Sequence, residues 1–108
     1  MLIATIVALL DLGIPMLNIN EYFDGNVKSI GFQTETLPAS VGVMAIGQYT
    51  FDTSQRETMT VISGKLTVQL PTQEDWKEFG AGESFIVAAN ESFNLKVNVE
   101  TAYLCTYE

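Results

Sequence analysis

Two stretches of this chain alternate polar and apolar residues strictly, and this period of two constrains the fold more than any other feature. The first stretch is Lys65–Leu70, and the second runs from Ser92 to Val99. Successive side chains of a β-strand point to opposite faces, so the alternation predicts strands with one buried face and one exposed face. Three further stretches rich in β-branched or apolar residues are also predicted as strands: Ala39–Ile46, Thr58–Ile62 and Phe85–Val87.

Short turn sequences separate the predicted strands. Ser63 and Gly64 stand between two of them at the spacing of a two-residue β-hairpin. Pro71-Thr72, Gly80–Gly82 and Asn90-Glu91 mark further turns. Short strands with no convincing helix between them predict an all-β domain, built as a sandwich or as a closed barrel with a pocket lined by inward-facing side chains.

Composition limits the partners that this chain can bind. Its 108 residues suit one domain, and 47% hydrophobic residues are enough for a packed core. Thirteen acidic and five basic side chains give a net charge of −8, which predicts that neither DNA nor RNA is a partner. The same charge repels phosphate-bearing ligands, so a phosphate site needs a local cation or a group of backbone amides.

The single cysteine, Cys105, lies in the apolar stretch Ala102–Cys105 and is predicted to be a small core residue. A catalytic thiolate needs a neighbouring base, and the chain contains no histidine. One cysteine also permits no internal disulfide, which suits a cytoplasmic protein.

Residues 1–15, MLIATIVALLDLGIP, differ from the rest of the chain. Their apolar stretch is shorter than the roughly 20 residues of a membrane span. It also lacks the flanking basic residues and the cleavage site of a secretory signal, so no membrane partner is expected. We interpret residues 1–15 as a hydrophobic N-terminal extension arising from an upstream start, and residues 16–108 as the domain. A genuine helix or strand that packs on the domain or on a partner subunit is the alternative.

Part of the chain resembles the cupin pattern. Glu57 and Gly64 have the spacing of that pattern's glutamate and the glycine after it, whereas its two histidine positions hold Phe51 and Thr53. The second half of the pattern begins with Gly82, and its later proline, glycine and histidine positions hold Ala88, Asn90 and Phe93. Metal-binding cupins use three imidazoles and one carboxylate, and this chain offers only Glu57. We therefore expect no metal and no metal-dependent cupin activity.

Longer blocks resemble a family of small bacterial cupins, the pyrimidine/purine nucleoside phosphorylases, over essentially all of residues 16–108. The resemblance implies an all-β, single-domain cupin, an RmlC-like jelly-roll β-barrel. It also implies metal-independent phosphorolysis of purine and pyrimidine nucleosides to the free base and ribose 1-phosphate. Base specificity is then broad, and inorganic phosphate is the co-substrate. The matching blocks are Asn20–Phe23, Val27–Phe32, Ala39–Met44, Gly47–Phe51, Met59–Gly64, Gly82 with Phe85, and Tyr103–Cys105.

Three positions depart from the family pattern as it is commonly found. Gln48 stands where Glu is frequent, Ala88 where Pro is common, and Thr106 where Arg is common. Loss of that Arg weakens phosphate binding if the family's side chain points inward.

Glu57 is the predicted catalytic residue, because the cupin glutamate points into the barrel and can stabilise a cationic sugar. Lys28 and Ser29 are predicted to bind phosphate. The substrate-binding wall against which a base stacks is predicted to comprise Tyr49, Phe51, Met59 and Phe93. The alternatives are a Glu57 paired with Arg56 or with water, an exposed Lys28, and aromatic side chains that belong to the core.

Two other functions stay open at this point. A non-catalytic cupin that binds a nucleoside or another metabolite fits the apolar barrel and the shortage of catalytic groups, and a purely structural dimerisation module is the third reading. The small core, together with the dimers common among cupins, also predicts a homodimer.

Overall fold

The computed structural model describes residues 17–108, so the predictions for residues 1–15 lie outside the described residues. Within the described part the chain forms ten β-strands: β1 (Asn18–Tyr22), β2 (Val27–Gln33), β3 (Pro38–Met44), β4 (Gly47–Asp52), β5 (Glu57–Ser63), β6 (Lys65–Gln69), β7 (Lys77–Gly80), β8 (Ser84–Val87), β9 (Ser92–Val97) and β10 (Thr101–Tyr107). Across residues 17–108 no helix has the length and apolar character to cross a membrane.

The strands form two antiparallel sheets that pack against each other. The six-stranded sheet has the order β1-β2-β3-β10-β5-β8, and the four-stranded sheet has the order β4-β9-β6-β7. The all-β cupin fold is therefore confirmed. Its hydrogen bonding divides the described strands into two sheets and does not link them into one continuous barrel.

The strictly alternating stretches supply the centre of the core. On β9, Phe93, Leu95 and Val97 are each 1% exposed, while the residues between them are less buried. Leu66 and Val68 of β6 are fully buried in the same way. Complete burial of such side chains contributes about 1.5–3 kcal/mol each, so the period-two pattern accounts for much of the packing between the sheets.

The predicted hairpin at Ser63-Gly64 is wrong. Strand β5 pairs with β8 and β10, whereas β6 pairs with β7 and β9, so the chain changes sheets at Gly64. Gly64 has a φ of 100°, a conformation that glycine adopts readily. Thr101 closes this corner, because its hydroxyl accepts a hydrogen bond from the Lys65 amide at 3.1 Å and donates one to the Lys65 carbonyl at 3.0 Å.

The unequal widths of the sheets leave part of the larger one uncovered. β1 is an edge strand, and none of its five residues is buried. Asn20 pairs with Ser29, and Asn18 pairs with Gly31, so both asparagines lie on the face of the sheet that looks towards the core. This uncovered inner face of β1 adjoins the site described below.

Replacing Gly64 by alanine is expected to lower the free energy of unfolding by about 3 kcal/mol or more, because a left-handed backbone strains alanine and the new methyl group overlaps its neighbours. A Cβ at Gly64 would lie 2.9 Å from the Glu100 carbonyl oxygen and would also overlap the Thr101 hydroxyl. The measurement is urea denaturation of the variant and the parent.

Gly82→Ala is the matched control. Gly82 has a similar φ of 84°, but no atom lies within 4 Å of the position of its Cβ. Gly82→Ala should lower the free energy of unfolding by about 1–2 kcal/mol, because backbone strain alone acts there. If both variants lose the same free energy of unfolding, the close approach of Thr101 and Glu100 adds nothing to the cost of a side chain at Gly64.

Candidate functional site

A cavity of about 180 Å³ lies between the two sheets. Its exposed lining residues, Tyr22 and Asp52, mark where it opens to solvent. The six-stranded sheet supplies Tyr22, Ser29, Ser40, Met44, Glu57, Met59, Tyr103, Cys105 and Tyr107, and the four-stranded sheet supplies Phe51, Asp52 and Phe93.

Strand β10 carries the polar side of the cavity. Tyr103, Cys105 and Tyr107 are two residues apart, so all three side chains point inward from this central strand. Glu57 is paired with Tyr107 on the neighbouring strand, and Met59 is paired with Cys105. The antiparallel register therefore places a carboxylate, a thiol and two phenols on one surface.

Gly42 makes room for Tyr103. A Cβ at Gly42 would lie 2.5 Å from the Tyr103 hydroxyl and 2.6 Å from its Cζ atom. Without a side chain there, the Tyr103 ring lies across β3 towards Ser29 of β2. Burial raises the pKa of Tyr103 to about 12, with smaller contributions from Cys105, so this phenol stays protonated and can donate a hydrogen bond.

Glu57 is the carboxyl of this cluster, and burial perturbs its pKa. Burial raises its pKa above the usual value, and the thiol of Cys105, whose Sγ donates to Glu57 Oε1 at 3.4 Å, partly opposes that rise. Burial and the nearby Glu57 charge raise the pKa of Cys105. Burial likewise raises the pKa of Tyr107, whose hydroxyl is hydrogen-bonded to that of Ser40 at 2.7 Å. The cavity thus combines one partly desolvated carboxyl with neutral donors.

Five of the predicted site residues meet around this cavity: Ser29, Phe51, Glu57, Met59 and Phe93. The rings of Phe51 and Phe93 are stacked with centroids 5.9 Å apart and form an apolar wall opposite the polar strand. The predicted alternative of an ion pair between Glu57 and Arg56 is not seen, because Arg56 lies 3.6 Å from Glu108 instead.

Lys28 and Tyr49 do not line the cavity. Lys28 points to the outer face of β2, where its ammonium lies 3.7 Å from the carboxylate of Glu21. The geometry therefore gives no support to a phosphate contact by Lys28. Tyr49 is buried in the core, and its hydroxyl donates to the Ala45 carbonyl at 2.6 Å.

The sequence prediction missed most of the polar lining. Ser40, Tyr103, Cys105 and Tyr107 were not proposed as site residues, although Cys105 was correctly expected to be buried. The alternation of Tyr103, Cys105 and Tyr107 was the available signal, because it places the three side chains on one face of a strand.

Two of the three positions of the cupin histidines also fall at this cavity, and the third, Thr53, does not line it. Phe51 and Phe93 occupy two of them and lie on the wall opposite Glu57. Among residues 17–108, His, Cys, Asp and Glu side chains nowhere gather in a group of three or more that could hold a metal ion.

Positive charge lies away from the cavity in the described part of the chain. No lysine or arginine of residues 17–108 contributes to its lining. Lys28, Arg56 and Lys65 each lie within 4.0 Å of a glutamate, and Lys96 lies over the ring of Trp76. The polar atoms offered to a ligand in the cavity are therefore hydroxyls, a thiol and carboxylates.

Glu57→Gln is expected to raise the melting temperature above that of the parent at pH 8 and to have little effect near pH 4. A carboxyl with a raised pKa binds its proton more tightly in the folded state, so the parent loses stability as pH rises from about 4.5 through the folded pKa. Glutamine removes this loss. Thermal melts of both proteins between pH 4 and pH 8 measure the difference in melting temperature. A difference that does not increase with pH would contradict the raised pKa of Glu57.

Sequence comparison relates this chain to a family of known proteins. The family model for pyrimidine/purine nucleoside phosphorylase matches residues 17–107. A protein of that name from Magnetococcus marinus is 71% identical over 92 residues, which cover 85% of this chain and 99% of the relative. Another from Saccharophagus degradans is 67% identical, with coverage of 85% and 98%.

Solved structures show the same fold. A Vibrio parahaemolyticus protein described as of unknown function is 47% identical, with a TM-score of 0.84 over 87% of this chain and 100% of that one. An RmlC-like cupin from Shewanella frigidimarina, 19% identical, has a TM-score of 0.67 over 85% of this chain and 83% of that one. From its sequence match and its relatives, this chain belongs to the pyrimidine/purine nucleoside phosphorylase family.

Proposed function

We propose that this protein catalyses the phosphorolysis of purine and pyrimidine nucleosides to the free base and ribose 1-phosphate, with broad base specificity and without a metal. Family membership supports the class of reaction. The observation that carries the proposal is the position of Glu57, a partly desolvated carboxyl that faces an apolar aromatic wall across a small cavity. We further propose that the protein works in the cytoplasm, in keeping with its single free thiol.

In this reaction a phosphate oxygen forms a bond to C1′ of the ribose while the bond from C1′ to the base nitrogen breaks. The electron pair of the broken bond leaves with the base, which then takes up a proton. Positive charge develops on the sugar during the exchange. An ionised Glu57 stabilises that charge most strongly in the transition state, and its partial desolvation strengthens the interaction.

The two walls of the cavity suit the two parts of a nucleoside. Phe51 is partly exposed and lies on the buried ring of Phe93, so it offers a ring surface against which a purine or a pyrimidine can stack, and it selects no particular base edge. The hydroxyls of Ser40, Tyr103 and Tyr107 face the ribose side and can donate to its oxygens or accept from its hydroxyls. Stacking without edge recognition is the physical basis proposed here for broad base specificity.

A second candidate function is binding of a nucleoside without turnover. The absence of lysine and arginine from the cavity lining, within residues 17–108, favours it, because phosphate usually requires a fixed cation or an array of donors.

Phosphate dependence separates the two functions. We expect the purified protein to release free base from several purine and pyrimidine nucleosides only when phosphate is present, at the same rate with and without a chelator. Chromatography of the released base and of ribose 1-phosphate measures this. Saturable nucleoside binding without base release would establish the binding function instead, and activity lost to a chelator and restored by one divalent ion would refute the metal-free reaction.

Glu57→Gln serves as the active-site variant in the same assay. Loss of a charge-assisted contact worth about 1.5–3 kcal/mol lowers kcat by roughly 10- to 150-fold, with little change in the KM for nucleoside. The variant should melt no lower than the parent, so a loss of activity cannot come from unfolding.

We also propose that the protein is a homodimer, formed through the outer face of the six-stranded sheet. A row of side chains crosses this face in register, from Ile19 through Ile30 and Val41 to Leu104. The first three are 76%, 44% and 40% exposed. An exposed apolar surface of this kind marks an interaction site, and the flat, self-similar face of a sheet suits a second copy.

Light scattering at tens of micromolar protein is expected to give twice the mass of the chain. Val41→Lys should shift the mass to that of the monomer, because two copies of the new charge would be buried near the centre of the interface. Val99→Lys is the matched control, since Val99 is 50% exposed in the turn before β10 and lies outside this face. A parent that elutes as a monomer would overturn the proposal.

A further inference from the structure

A second groove continues from the cavity along β1, β2 and the start of β3, and its lining combines apolar residues with polar ones: Leu17, Phe32, Pro38 and Ala39 beside Asn18, Asn20, Gln33, Ser40 and Tyr107. It has a volume of about 480 Å³ and shares two lining residues, Ser40 and Tyr107, with the cavity. The hydrogen bond between these two hydroxyls, 2.7 Å long, lies at the boundary of the two spaces. A molecule in the groove therefore reaches the same hydroxyls as a molecule in the cavity.

The cavity is too small for both substrates of the proposed reaction. Its 180 Å³ lies below the roughly 300 Å³ at which ligand pockets usually begin, whereas the groove lies within the usual range. In a displacement at C1′ the phosphate attacks one side of the sugar and the base departs from the opposite side. If the base stacks on the aromatic wall and the ribose lies near Glu57, the phosphate must come from the side of Ser40 and Tyr107, where the groove begins.

The charge of the groove suits an anion better than that of the cavity does. The chain has thirteen acidic side chains, yet among residues 17–108 no aspartate or glutamate lines the groove, whereas Asp52 and Glu57 line the cavity. A phosphate in the cavity would approach these carboxylates at low dielectric, and a phosphate in the groove avoids them.

The groove also offers donors. Asn18, Asn20 and Gln33 contribute side-chain amides, and Ser40 and Tyr107 contribute hydroxyls. Each amide nitrogen carries two hydrogens, and the burial that raises the pKa of Tyr107 keeps its hydroxyl protonated. Gly31 lies between Asn18 and Ser40 in the sheet register, and its lack of a side chain leaves the floor of the groove open.

We propose that this groove is the phosphate subsite of the reaction, a site that holds the anion with neutral amide and hydroxyl donors in place of lysine or arginine. The inference rests on the proposed phosphorolysis. It assigns the side from which the co-substrate enters. It also gives Asn18 and Asn20 of β1, a strand with no buried residue, a role beside that of Tyr22 in the cavity.

Asn18→Asp and Asn20→Asp test this assignment, because each places a negative charge at the groove with almost no change in shape. Each is expected to raise the KM for phosphate by at least about 10-fold and to leave the KM for nucleoside within about twofold. Asn18→Ala and Asn20→Ala, which remove a donor without adding charge, should raise the KM for phosphate less. Asn98→Asp is the matched control, since Asn98 is exposed in the turn between β9 and β10, outside the groove, and should change neither constant.

Binding of inorganic phosphate, followed by phosphorus NMR line broadening or by calorimetry, separates this inference from the proposed function. Base release with phosphate constants unchanged in the asparagine variants would overturn the subsite and leave the phosphorolysis standing. A parent that shows no turnover but binds phosphate, with binding lost in both aspartate variants, would overturn the phosphorolysis and keep the groove as an anion site. A parent that binds no phosphate at all would overturn the subsite.

Discussion

The structure depends on packing two sheets of unequal width through one shared layer of apolar side chains. Strand β9 contributes a row of three buried side chains, Phe93, Leu95 and Val97, and strands of the larger sheet pack against it. The smaller sheet has four strands against six, so it cannot cover the whole of its partner. The dry part of the interface holds the domain together, and the uncovered part leaves polar side chains of β1 and β2 in contact with solvent. The site lies at the border between the two.

Because the site lies at this border, its carboxyl Glu57 is partly buried, and this burial destabilises the fold. Glu57 would be better solvated outside the domain, and its partial burial raises its pKa, so the ionised form that the proposed reaction needs is less stable when folded. Cys105 offsets part of this by donating to the carboxylate, while Tyr103 and Tyr107 remain neutral. An anionic residue beside neutral donors can stabilise a cationic sugar while Asp52, the other carboxylate of the lining, stays at the exposed opening.

The sequence predicts the fold better than it predicts the site, for a physical reason. The alternation in β6 and β9 follows from one-sided burial, which is a local property, and both strands were correctly predicted. Glu57 was correctly placed at a cavity through its cupin spacing. Asn90, which replaces the glycine of that pattern, has a φ of 61°, a left-handed conformation that asparagine tolerates. The partner of each strand is not local, so the sheet change at Gly64, the contact of Tyr103 with β3 and the outward direction of Lys28 appear only in the structure.

The position of β10 has a consequence for how the chain folds. Strand β10 follows the other described strands in the chain but lies in the middle of the six-stranded sheet, hydrogen-bonded to β3 on one side and to β5 on the other. During synthesis, β3 and β5 therefore leave the ribosome before β10, and each keeps an unpaired edge until β10 has followed. Topologies that depend on such distant pairings fold slowly, and before folding is complete their exposed strand edges can pair with other chains. The residues of β10 that build the polar wall of the site are thus made after the other nine described strands, so the cavity and the six-stranded sheet are completed in the same step.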